Sequence, residues 1–273
     1  MKPEKVVIPL HKIHETAIIH PAARIGNNVE IGPYTVIGEN VLIGDGTKIG
    51  AYVNIEDWTR IGKDCIIFPY ASIGAIPQDL KFSGEKSYVF IGNCTQIREF
   101  VTIHRATGEG EETRIGSHCL LQTYTHVAHN CIVGNHVILS SGATLGGHVV
   151  VEDHANIGGL AGVHQFVKIG YNAMIGGASK VTQDVPPFII ADGHPAKAVG
   201  TNDVGMSRNN ISIEVRRIIK KAYRMLYRSN LNLAQAIALM EQELDAHEEL
   251  EYFLRFLRNA ERGICRSRKE VTQ

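Results

Sequence analysis

No stretch of this chain approaches the ~18 consecutive apolar residues that a membrane-spanning helix requires, so membrane insertion is not expected. The opening residues Met1-Lys2-Pro3-Glu4-Lys5 lead only into a short apolar run that Pro9 breaks, which does not read as a secretory leader. Paired cysteines are lacking too. Cys65, Cys94, Cys119, Cys131 and Cys265 form no C-x-x-C motif, and an odd, scattered set suits reduced thiols in a cytoplasmic protein rather than a disulfide framework. Net charge is absent, with 28 Lys+Arg against 28 Asp+Glu, so the whole molecule carries no signature for nucleic acid. The balance is uneven along the chain, however. From Gly205 onward 13 Lys+Arg face 9 Asp+Glu, leaving 15 against 19 before it, and a basic tail points to an acidic partner.

What the chain has in abundance is a six-residue period. Every sixth position from Ile13 to Val181 is Ile, Leu or Val, except Asp79, Glu85 and Glu109 among the 29 in frame. Glycine often follows, as at Gly26, Gly32, Gly38 and Gly44. Six is neither the 3.6 of a helix nor the 2 of a simple strand. It fits one short strand and one corner per side of a prism, so that three hexads close an 18-residue coil and stacked coils bury one aliphatic column. Asn28, Gly46, Asp64, His118, His136, His154 and Asn172 recur at 18 or its multiples, in residue types that tolerate left-handed corners. The three histidines of that column read as corner residues rather than a metal ladder, since Asn, Asp and Gly fill the same slot elsewhere. Two segments break the register, near 74–90 and 105–114, and read as projecting loops, where ligand contacts concentrate.

Val185-Pro186-Pro187 stops the coils, because proline cannot supply ladder hydrogen bonds. The expected division is a β-helix over 1–190 and a helical region over 191–273. Gly193-His194-Pro195-Ala196 reads as a turn, and amphipathic helices are predicted over about 212–228, 232–246 and 248–262, closing the open end of the stack. The polar face of the first carries Arg216, Arg217, Lys220, Lys221, Arg224 and Arg228, which reads either as a solvated face or as a surface for an acidic carrier.

Five histidines lie outside the corner column: His104, His126, His129, His148 and His164. They fall in adjacent coils at different hexad positions, which argues against a repeat-wide role. Histidine is the usual general base near neutral pH. Gly147 follows His129 by one coil and Gln165 by two, and neighbouring rungs are about 4.8 Å apart. A main-chain N–H beside a base is what acyl transfer requires.

Five motifs, in this order, make the reading specific: Gln78-Asp79-Leu80-Lys81, Val101-Thr102-Ile103-His104-Arg105, His126-Val127-Ala128-His129, Gly158-Gly159 with Val163-His164-Gln165-Phe166, and Gln183-Asp184-Val185-Pro186-Pro187. The set resembles the UDP-N-acetylglucosamine O-acyltransferase family, which performs the first step of lipid A synthesis, and the resemblance covers nearly the whole chain. It implies a left-handed parallel β-helix with a C-terminal helical domain, a homotrimer, and active sites between subunits. It implies transfer of a (R)-3-hydroxyacyl group from acyl carrier protein to the 3-hydroxyl of the glucosamine, with no cofactor beyond the carrier's phosphopantetheine thioester, itself a co-substrate. By matching positions, His129 is the general base and Gly147 the main-chain donor to the oxyanion. Asp79, Lys81, His104, His126, His148, His164 and Gln165 contact sugar, acyl chain or phosphopantetheine. Asn202 and Arg208 bind the nucleotide, and the glycine at Gly177 leaves the acyl groove open to a longer chain. Arg216, Arg217, Lys220 and Lys221 dock the carrier protein.

Three positions depart from the family pattern. Asn130 follows His129 where an aspartate is frequent, Val204 replaces an acidic ribose contact, and Asn209 replaces a second arginine. Other readings remain open at this level. A 3-amino sugar acceptor would give an amide product on the same scaffold. A related N-acyltransferase normally carries an added N-terminal domain, for which repeats starting near Ile13 leave no room. A zinc carbonic-anhydrase-like trimer would use three histidines, to which His104, His126 and His129 are a poor match. A non-catalytic binding β-helix would show a flat repetitive face, such as a threonine ladder.

Overall fold

The structure, a computed structural model, describes residues 12–267. The readings of Met1–Pro9 and of the charges at Arg268, Lys269 and Glu270 lie outside those residues. Strands mostly two residues long pass in turn through three parallel walls. Lys12–Ile13 lies in wall A, Ile18–Ile19 in wall B, Arg24–Ile25 in wall C, and Glu30–Ile31 returns to wall A beside Lys12–Ile13. Walls A, B and C hold 11, nine and eight strands. The winding is a left-handed parallel β-helix. The right-handed preference of long crossovers does not govern connections this short, in which one left-handed residue turns each corner.

The six-residue period is the physical content of this prism. In each strand the in-frame aliphatic points inward, as Ile31, Ile55, Ile73, Ile103, Leu121, Leu139 and Ile157 do at 0–2% exposure, and the residue before it points out. Each such burial contributes about 1.5–3 kcal/mol before the entropy of ordering the chain, so stability rests on the whole stack rather than on any rung. Two positions before the aliphatic is a second buried slot for small side chains, mostly valine and alanine, such as Val29, Val53 and Ala143, and on some rungs threonine or cysteine. There Thr35, Thr47 and Thr95 donate to the carbonyls of Gly50, Gly62 and Gly116 one rung on. Cys65, Cys119 and Cys131 occupy the same slot and make the same bond to Gly92, Gly134 and Gly146. Burial pushes the Cys119 and Cys131 thiols up to about 11 and 12. Three of the five dispersed cysteines are therefore interior corner donors.

The corners use positive φ even at bulky residues, among them Tyr52, Trp58 and Tyr70 at 56–66°. A non-glycine residue there costs about 1–2 kcal/mol. The bonds from Tyr52 N–H to Pro33 O and from His136 N–H to Ser117 O, 2.9 Å each, help offset it. Stacking adds to this. Tyr34, Tyr52, Tyr70, Phe100 and Tyr124 form one ladder up the A/B edge with ring centroids 4.9–5.2 Å apart. His118, His136 and His154 stack in the same way up the C/A edge.

That second column corrects the sequence arithmetic. Asp64, Cys94 and His118 are consecutive rungs, with Cys94 N–H on Lys63 O and His118 N–H on Asn93 O at 2.8 Å. The spacing from Asp64 to His118 spans two rungs and not three, because the two insertions together add as many residues as one coil. The insertions are also shorter than expected. Strands Ser72–Ala75, Tyr88–Ile91 and Glu112–Ile115 run into them, since Val89 and Thr113 are buried in alternation with Ile91 and Ile115. The projecting loops are 76–87 and 105–111.

Beyond the coils, Ile189–Gly193 continues wall A and turns back as Ala196–Thr201. Four helices follow: α1 (Asp203–Arg208), α2 (Ile213–Tyr227), α3 (Leu233–Glu243) and α4 (Glu248–Arg258). α1 was not foreseen. It is a short turn of helix capped by Asn202. α2 begins where predicted, with the Ser212 hydroxyl accepting from Val215 N–H. α3 and α4 end earlier than the apolar spacing implied, because Leu244 is extended and Asn259 caps α4. Val215, Ile219, Phe253, Leu254 and Leu257 join the last rungs and Phe188 in one continuous core. No helix among the described residues is long and apolar enough to cross a membrane.

Candidate active site

The B/C corner gathers the chemistry. His126 lies on strand His126–Val127 in wall B; Val127 points inward and the chain then turns through Ala128, His129 and Asn130, the last at φ 57°. The His129 side chain is 15% exposed. Its Nδ1 lies 2.9 Å from Asn130 Oδ1, and its Nε2 lies 4.0 Å from Asp79 Oδ2, which the first loop delivers. Gly147 is one rung on. A Cβ built there would stand 2.6 Å from both Cε1 and Nε2 of the His129 ring, so only glycine admits this approach. At the same corner, Glu39 N–H is capped by Asp57 Oδ1 of the next rung. Gly147 N–H has no protein hydrogen-bond partner among the described residues. His129 and Gly147 thus lie at one corner on successive rungs, the glycine against the imidazole ring.

Around this pair the site is poor in positive charge. His104 is buried at 7% exposure, and desolvation, then the imidazoles of His126 and His129, pushes it down to about 4. His126, bonded through Nδ1 to the Thr102 hydroxyl at 2.7 Å, is lowered for the same reasons. His148 sits edge-on to His129 at 5.2 Å between ring centroids, stacks on Phe166 and is lowered as well, by desolvation first. The Asp79 carboxyl is held below its usual range, chiefly by the Lys81 N–H that donates to it. The surroundings therefore favour the neutral form of His104, His126 and His148 and the ionised form of Asp79.

The remaining expected residues are spread over the prism and its helical end. His164 and Gln165 lie one rung beyond Gly147, where Phe166 N–H bonds Gly147 O at 3.0 Å; both side chains are exposed at the same corner. Lys81 is exposed on the first loop. Gly177 stands on the A/B edge, across wall B from His129, between Met174–Ile175 and Lys180–Val181. Asn202 lies next to Asn172 on the C/A edge, and its amide is spent there. Nδ2 donates to Asn172 O at 2.9 Å and Oδ1 caps Gly205 N–H. Its side chain thereby ties the start of α1 to the C/A edge. Arg208, at the exposed end of α1, stays available, as does Val204, while Asn209 caps that helix. On α2, Arg217, Lys220 and Lys221 are exposed and Arg216 is half-buried; Lys220 lies 3.9 Å from Asp203. A cavity of about 600 Å³ between wall C and α4, lined by Ile132, Tyr171, Phe188 and Tyr252, holds none of these groups.

Thr107 and Thr113 were missed in the sequence. Thr107 is bonded twice to the Asn130 amide and Thr113 once to its main chain. The only signal for Thr107 was the asparagine after His129, since the unrepetitive second loop brings it in, whereas Thr113 fills the regular slot two residues before Ile115. Among the described residues no three His, Cys, Asp or Glu side chains are arranged to hold a metal ion.

Comparison with known proteins agrees with this architecture. A family model described as UDP N-acetylglucosamine O-acyltransferase, domain 2, matches residues 184–265, and one for bacterial transferase hexapeptide repeats matches 11–44, 40–75 and 112–147. The chain is 48% identical to an acyl-(acyl-carrier-protein)--UDP-N-acetylglucosamine O-acyltransferase of Myxococcus xanthus, over 93% of this chain and 99% of that one. Its likeness to the enzyme of that name from Thermodesulfovibrio yellowstonii is 50%, over 94% and 100%. The solved structure of LpxA from Acinetobacter baumannii superposes with a TM-score of 0.90 at 44% identity, covering 93% of this chain and all of that one. LpxA from Bacteroides fragilis, a UDP-N-acetylglucosamine acyltransferase, gives 0.91 at 44% identity, over 93% and 99%. With such identity running the length of both partners, and the histidine corner in place, the chain belongs to the UDP-N-acetylglucosamine O-acyltransferase family.

Proposed function

We propose that the protein transfers a (R)-3-hydroxyacyl group from acyl carrier protein to the 3-hydroxyl of UDP-N-acetylglucosamine, with His129 as general base. The observation that carries this reading is that His129 Nε2 lies 4.0 Å from the Asp79 carboxylate and packs against Gly147, whose N–H has no protein hydrogen-bond partner among the described residues. Nε2 takes the proton of the sugar hydroxyl as its oxygen bonds to the thioester carbonyl carbon. The carbonyl oxygen becomes an oxyanion, which Gly147 N–H stabilises. The imidazolium is stabilised by Asp79 and by the bond from Nδ1 to Asn130. Collapse of the adduct breaks the carbon–sulfur bond, and the departing thiolate takes the proton back from the imidazolium. The products are the sugar ester and the free phosphopantetheine thiol.

The working form is a homotrimer in this reading. Residues that the family resemblance assigns to one substrate sit on three edges of a single prism: His129 on B/C, Gly177 on A/B and Arg208 beyond C/A. One chain cannot turn all three towards the same ligand, whereas three prisms side by side bring different edges together. The exposed cations of α2 supply the surface for the acidic carrier, and His148, His164, Gln165 and Lys81 line the approach to the base.

The test is turnover of a mixture of (R)-3-hydroxyacyl carrier proteins with UDP-N-acetylglucosamine, read by mass spectrometry. His129→Ala is expected to lose about 10²–10⁴-fold in kcat, the usual contribution of a positioned acid–base group, while keeping its circular dichroism. Wild-type turnover by that variant would reject the base. A product formed only from the 3-amino sugar would reassign the reaction to amide formation.

A further inference from the structure

We propose that Asn130 is a positioning residue that fixes the tautomer of His129, and that loop 105–111 holds it to that task; the inference rests on His129 being the base. Both ends of the Asn130 amide are bound to one residue of the loop. Thr107 N–H donates to Oδ1 at 2.9 Å, and Nδ2 donates to Thr107 O at 3.1 Å. A peptide N–H only donates and a peptide carbonyl only accepts, so Thr107 dictates which way round the amide sits. Rotating it by half a turn would replace both bonds with like-to-like contacts. The oxygen is thereby aimed at His129 Nδ1, 2.9 Å away. An amide oxygen has no proton to give. Nδ1 must carry the hydrogen, and Nε2 is left with the lone pair that a base requires.

This control is needed because the neighbouring charge pulls the other way. The Asp79 carboxylate, 4.0 Å from Nε2, favours a proton on that nitrogen, which would cap the base before substrate arrives. The shorter contact to Asn130 opposes it. The loop is tied at its far side as well, since Asn130 N–H donates to the Thr113 hydroxyl at 2.9 Å. A residue of the insertion and one of the strand that follows it thus converge on the residue after the base.

An aspartate at 130 would not reproduce this arrangement. One of its oxygens would face Thr107 O, removing the Nδ2 bond and adding repulsion, while the other would strengthen the imidazolium. The exchange therefore separates the two roles: the base becomes harder to deprotonate, and the loop comes loose.

The direct test is the tautomer, read from 15N chemical shifts of histidine-labelled protein at a pH where His129 is neutral, with His129→Ala used to assign the signals. The wild type is expected to show Nδ1–H. Asn130→Ala is expected to shift the population towards Nε2–H and to lower kcat about 10- to 100-fold, the scale for losing a partner that orients an imidazole, with KM little changed. Asn130→Asp is expected to move the acid limb of the kcat/KM profile to higher pH and to raise KM at least several-fold. A wild-type spectrum showing Nε2–H, or an unaltered tautomer in Asn130→Ala, overturns the proposal. Should a variant fail to fold, the wild-type spectrum still decides. An Nδ1–H signal together with a fully active His129→Ala would sink the base assignment alone and leave the positioning intact.

Discussion

One methyl group is enough to probe the corner at the scale of a residue. Gly147 does not occupy a left-handed conformation, so alanine is permitted by the backbone, yet its Cβ would meet the His129 ring at 2.6 Å. The ring is bound on its far side by Asn130 and has little room to retreat. Gly147→Ala is therefore expected to lower kcat about 10²–10³-fold, comparable to removing an oxyanion donor, with an unfolding midpoint close to wild type. Retention of full kcat would show that the ring moves freely and that its approach to residue 147 is incidental. Much of this corner was legible beforehand, because His129 and Gly147 are one coil apart and the period is strict there. The fastening of Asn130 was not. Thr107 reaches it from an insertion, where no repeat constrains position, so the contact has no sequence spacing to betray it.

Among the elements, α2 divides its two faces cleanly. Val215, Ile219 and Ala222 are buried against the end of the stack, and Arg217, Lys220 and Lys221 remain in solvent. Reversing charge at Arg217, Lys220 and Lys221 is expected to raise KM for acyl carrier protein by about tenfold or more at low salt while leaving kcat unchanged, and the difference should shrink as ionic strength screens it. An unchanged KM would make the face a solvated one. Strand and helix starts were readable because inward aliphatics and N-cap residues are local signals. The helix ends were not, since Leu244 continues the apolar pattern of α3 but leaves it in extended conformation. α1 was hidden for a related reason. It is one and a half turns long, too short for periodicity, and it depends on the buried Asn202–Asn172 contact.

For the molecule as a whole, the placement of Gly177, His129 and Arg208 on different edges makes assembly testable by complementation. His129→Ala and Arg208→Ala chains, each assayed alone, are expected to be weakly active. Mixed trimers formed by co-expression should regain activity wherever an intact His129 of one chain meets an intact Arg208 of another. Mixtures no better than the separate variants would place every ligand on a single chain. The prism itself was readable from one regularity, but counting coils by residue number was not, as the step from Asp64 through Cys94 to His118 shows. The run of stacked rings from Tyr34 to Tyr124 climbs past the first insertion with its spacing intact, Tyr70 meeting Phe100 at 5.0 Å although thirty residues separate them. A scaffold that keeps time by storeys and not by chain length can grow new balconies at any landing, which is how a monotonous column comes to carry an irregular, reactive corner.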